Sequence, residues 1–109
     1  MRPKPYEILM AVEAATGVPP SVILTDNRVA RTSYARFLAM LLFAEINPHA
    51  SNHDAAKFVG KLDPSTGRHG LMRARFLLEN DEAFREAHAA AREALKKSEN
   101  NYLHPAATV

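Results

Sequence analysis

At 109 residues, 47% of them hydrophobic, the chain is long enough for one compact domain with a modest core and too short for a second domain or a large enzyme. It contains no cysteine, which excludes a disulfide framework and a thiolate zinc site and fits a reducing cytoplasm. Net charge is only +2, so the total says little about partners. Its distribution says more: from Arg28 to Arg75 eight basic residues face three acidic ones, and from Phe76 onward four basic residues face six acidic ones.

No targeting or membrane segment is expected. Met1 to Pro5 lacks the apolar core of a signal peptide, and the longest apolar run, Phe37 to Ala44, is too short to span a bilayer. Between Pro5 and Thr16, Ile8, Leu9, Val12 and Ala15 recur at helical spacing, and Gly17 ends the pattern. Pro19-Pro20-Ser21 then leads into a short apolar turn, Val22 to Leu24, followed by the polar connector Thr25-Asp26-Asn27. A long helix from Val29 to Ile46, ended by Asn47-Pro48, is apolar nearly all round in its middle and so should be the central buried helix. Arg28, Arg31 and Arg36 flank or occupy its first turns and are expected outside the core.

Ser51 to Val59 is a short amphipathic segment with a Ser-x-x-Asp start and a break at Gly60. The next helix opens at Asp63-Pro64-Ser65-Thr66-Gly67-Arg68-His69-Gly70, with Asp63 as N-cap and Pro64 at the first helical position. Two helices joined by a tight glycine turn make a helix-turn-helix, whose second helix can lie in a DNA major groove. On that second helix Gly67, Gly70, Leu71, Ala74 and Leu78 share one stripe, while Ser65, Arg68, Met72 and Arg75 share another. Each glycine costs about 1 kcal/mol against alanine in a helix interior, so the pair predicts close helix approach on the inner face. Asn80-Asp81 caps a last helix, Glu82 to Lys97, whose Phe84, His88, Ala91 and Leu95 form a stripe for docking on the core. Used instead as a dimer seam, that stripe would pair two copies and present two reading helices to a repeated or palindromic site.

The reading is all-α: one compact domain of about six helices over residues 1–100, containing a helix-turn-helix, and a flexible tail over 101–109. No metal site is expected, because His49, His53 and Asp54 need not share a helical face, and no cofactor is called for. His69 has no matched nucleophile or acid nearby in sequence, so no enzyme is expected.

With these elements in place, the chain resembles the C-terminal DNA-binding domain of the bacterial replication initiator DnaA, within the Trp-repressor-like helical superfamily. The likeness runs from Val12 to about Phe84 and takes in the basic connector, the long helix ending in Glu45-Ile46, the helix-turn-helix and Asn80-Asp81-Glu82-Ala83-Phe84. It implies double-stranded DNA as partner, a minor-groove contact by Arg28, a backbone contact by Arg36, and major-groove reading by Asp63, Pro64, Ser65 and Thr66. Pro64 stands where the family has a base-contacting His; Arg68, on the same face, can supply a guanine contact instead. The remaining DNA-binding candidates are Arg31, Lys61, His69 and Arg73, with Arg75 a further phosphate contact. No Gly-x-x-x-x-Gly-Lys-Ser/Thr loop is present, so a freestanding domain without the ATPase module or a nucleotide is expected, acting in replication or transcription control in the cytoplasm at the nucleoid, and encoded by a host, phage or mobile element. The rival expectation is a protein-interaction module that turns the same fold toward a replication or transcription protein.

Overall fold

The computed structural model describes residues 3–25, 29–61 and 64–103. Among them are six helices and no strand: α1 (Pro5–Thr16), α2 (Pro20–Ile23), α3 (Ala30–Ile46), α4 (Asn52–Phe58), α5 (Pro64–Asn80) and α6 (Glu82–Leu103). No helix among the described residues is long and apolar enough to cross a membrane.

Local chemistry sets most of the helix ends. Pro5 begins α1, and the Lys4 N–H donates to the Glu7 side chain at 2.8 Å. Gly17 closes α1 in the left-handed region at φ 79°, its N–H bonded to the Glu13 carbonyl at 2.7 Å. The Ser51 and Asp54 side chains cap α4 reciprocally, each 3.0 Å from the other's backbone N–H. At its far end Val59 is the C-cap, and Gly60 at φ 80° donates to the Lys57 carbonyl while Lys61 N–H reaches the Ala56 carbonyl at 2.8 Å. These two bonds make a Schellman turn, and the positive φ is what reserves the position for glycine.

α3 is the hub and packs against all five other helices. Its Ala35, Leu38, Ala39, Met40, Leu41 and Leu42 are buried, joined by Ile8, Leu9 and Val12 of α1, Ile23 of α2, Ala55 of α4, Leu71, Ala74 and Leu77 of α5, and Phe84, Ala91 and Leu95 of α6. Aromatic contacts tie the hub at both ends: Phe43 stacks on Phe58 at 4.7 Å, and Tyr34 meets Phe84 edge-on at 5.0 Å.

The stripe on α6 is therefore spent on the chain's own core. Phe84, Ala91 and Leu95 are buried, and His88 lies 2.9 Å from Glu45 of α3. With these residues buried in its own core, the chain does not offer that stripe as an exposed dimer seam. The helix also outruns its expected end at Lys97, continuing through Leu103 and so through the first residues assigned to the tail; residues 104–109 lie outside the described residues.

Asp81 caps α6, accepting from the Phe84 N–H at 3.0 Å. The Tyr34 hydroxyl beside it, followed by that N–H, holds the Asp81 carboxyl below its ordinary range. Hydrogen bonds from the Ser51 backbone and hydroxyl do the same for Asp54. A folded pKa below the unfolded one means that both caps contribute fully above the ordinary carboxylate value of about 3.9 and lose their contribution as pH falls through the depressed folded values. Denaturant unfolding followed from pH 6 to pH 2 should show stability falling below about pH 4, with a shallower fall in Asp81→Asn.

Candidate nucleic-acid interface

α5 divides into two faces by its 3.6-residue period. Gly67, Gly70, Leu71, Ala74 and Leu77 are buried, and Leu78 is half-buried. Ser65, Arg68, His69, Met72, Arg73, Arg75 and Phe76 are exposed. Ser65, Met72 and Phe76 run down the middle of the outer face, with Arg68 and Arg75 along one side and His69 and Arg73 along the other. Three guanidiniums thus border one continuous exposed ridge without an acidic residue between Pro64 and Leu78. The Arg73 guanidinium also lies over the Phe76 ring, 5.2 Å from its centre.

The glycine pair seats the opposite side of α5 closely on the body. A methyl at Gly67 would overlap the backbone carbonyl of Asn52 in α4, so the two helices cross at backbone contact there. Gly70 faces the flexible end of Met40 in α3. Close packing on the inner side anchors α5, and its outer side carries no core duty.

Leu24 and Thr25, which follow α2, meet Gly60 and Lys61, which follow α4. The Leu24 carbonyl sits against Gly60, and the Lys61 ammonium donates to the Thr25 carbonyl at 3.3 Å. Arg36 belongs to the same junction, but not as expected. It is only 7% exposed, and its guanidinium donates from Nε to the Ile23 carbonyl at 3.0 Å and from Nη2 to the Thr25 carbonyl at 2.7 Å. The expectation that Arg36 stands outside the core is overturned: the open carbonyls at the end of α2 draw the side chain inward. Arg31 is exposed, and its Nη2 lies 3.3 Å from the Thr16 carbonyl at the end of α1.

The structure thus brings Ser65, Arg68, His69 and Arg73 onto one outer face of α5, with Thr66 half-buried at its margin and Lys61 in the preceding turn. Pro64 begins the helix. Arg31 and Arg36 are engaged elsewhere, the first at the Thr16 carbonyl that ends α1 and the second at the Ile23 and Thr25 carbonyls. Arg28 and Asp63 lie outside the described residues. Met72 and Phe76, 61% and 52% exposed, belong to the face and were not among the expected contacts. Its helical spacing from Ser65 and Arg68 already put Met72 on the outer stripe, but an uncharged thioether there gives no sign of a DNA contact. No group of three or more His, Asp or Glu placed to hold a metal occurs among the described residues.

No family model matches the chain, and no solved structure matches it. Among curated proteins, it is 34% identical over 79 residues to the chromosomal replication initiator protein DnaA of Aliarcobacter butzleri (strain RM4018). That stretch covers 72% of this chain and 18% of the relative, so the chain spans less than one fifth of that protein's length. Over those 79 residues the chain is a homologue of one part of a chromosomal replication initiator protein DnaA.

Proposed function

We propose that the chain binds double-stranded DNA through a helix-turn-helix formed by α4 and α5, with sequence preference, in the control of replication or transcription. The observation that carries this reading is the outer face of α5: polar at its N-terminal end, bordered by Arg68, Arg73 and Arg75, on a helix whose opposite side packs at backbone contact against α4 at Gly67. The homology to a replication initiator supports it at the level of the family. Ser65, Thr66, Arg68 and His69 face the major groove, together with Asp63 and Pro64 at the helix start; Arg68 has the fork geometry to take both acceptors of a guanine. Lys61, Arg73 and Arg75 neutralise phosphates, and Arg28 enters the minor groove from the connector. The activity proposed is binding, without catalysis.

Retention of a random duplex pool at two salt concentrations, followed by sequencing, tests this. An enriched motif with steep salt dependence is expected. Retention without a motif reduces the function to backbone binding, and no retention turns it toward a protein-interaction module. With the motif in hand, Arg68→Ala should cost about 1–3 kcal/mol at one base pair and relax preference there. Equal losses on every sequence would remove Arg68 from base reading.

A further inference from the structure

We propose that Met72 is a base-reading residue, whose thioether receives the C5-methyl group of a pyrimidine in the major groove. The inference rests on α5 being the DNA-reading helix. Ser65, Arg68, His69 and Met72 are all exposed, at positions i, i+3, i+4 and i+7 of one helix. Major-groove helices make their base contacts at this spacing, because it keeps four side chains on one face over two turns. Seven residues rise about 10 Å, which carries the face across about three base-pair steps. Met72 therefore stands where the last base contact belongs. Phe76 lies one more turn away, with Arg73 over its ring, where phosphate contact is the better match.

The chemistry selects the target. Met72 is 61% exposed, while its apolar neighbours Leu71 and Ala74 are buried, so the core does not account for it. A thioether is a poor acceptor and no donor, so it cannot read the nitrogen and oxygen edges of bases. The apolar feature in the major groove is the methyl group of thymine, and 5-methylcytosine presents the same group. An unbranched, polarisable side chain suits such a contact because it can adjust to the methyl position.

The test uses the duplex selected by the wild-type chain, with deoxyuridine replacing each thymine in turn, which removes only the methyl. One replacement should weaken wild-type binding about three- to fivefold, the value of one buried methyl. Met72→Ala should bind the thymine duplex weaker by a similar factor and be indifferent to that replacement, whereas Met72→Leu should keep the discrimination. Placing 5-methylcytosine at the same position separates the two sources: recovery relative to cytosine shows that the methyl alone is read, and no recovery shows a contact reserved for thymine. Met72 is exposed, so both variants should fold, which circular dichroism checks. Wild-type indifference to every deoxyuridine, or the same sensitivity in Met72→Ala, overturns the assignment while leaving DNA binding intact. Failure of the wild-type chain to bind any duplex overturns α5 as the reader, and this inference with it.

Discussion

Gly67→Ala should destabilise the fold by about 2–4 kcal/mol, whereas Gly70→Ala should stay within about 1 kcal/mol of the native chain. On helix propensity alone both substitutions stabilise, each by about 1 kcal/mol. Their surroundings decide otherwise. The methyl added at Gly67 runs into the Asn52 backbone, which can give way only if α4 and α5 move apart. At Gly70 it meets the Met40 side-chain terminus, with Cε 2.5 Å and Sδ 2.8 Å away, and that terminus can swing aside. Urea unfolding of the two variants measures the difference directly. A Gly67→Ala chain as stable as the native one would mean that the α4–α5 crossing is looser than backbone contact requires. Because the crossing sets the position of α5 against α4, Gly67→Ala should also weaken DNA retention per folded molecule, and Gly70→Ala should not.

Arg36→Ala should cost about 2–4 kcal/mol of stability, from the loss of two charge-assisted hydrogen bonds and the stranding of the Ile23 carbonyl. Arg36→Lys should recover little, since an ammonium lacks the planar fork that spans two carbonyls. In both variants the dependence of log affinity on log salt should keep its native slope, because a guanidinium bonded to the Ile23 and Thr25 carbonyls displaces no counterion from DNA. A native stability with a slope reduced by about one phosphate would instead return Arg36 to the DNA backbone. The denaturation midpoint and the salt titration together separate the two roles.

Much of the helical layout is legible in the sequence because its causes are local. Gly17 after an i, i+3, i+4 pattern, Ser51 three residues before Asp54, and Asp81 three residues before Phe84 carry their reason within four residues, and each marks a real helix end. The two faces of α5 follow from period alone. Arg36 illustrates what does not: its acceptors are carbonyls 13 and 11 residues upstream, exposed only because α2 ends after a single turn. The length of α6 was missed for a related reason. Past Lys97 the sequence has no apolar stripe to count, and the helix continues through Asn100 and Asn101 regardless. Met72 was legible as a position on the outer stripe but not as a contact, since a thioether carries neither charge nor a strong hydrogen-bonding group.

The packing of α6 across α1 has a consequence for biosynthesis. α1 leaves the ribosome well before α6, yet each covers the other, with Ala94 of α6 set beside Tyr6, Met10 and Ala11 of α1. At about 5–20 residues per second, α1 waits several seconds for its cover. During that interval the apolar side of α1 has chiefly α2 and α3 among the described residues to lie against, so the nascent chain should remain open to proteases and chaperones until α6 emerges.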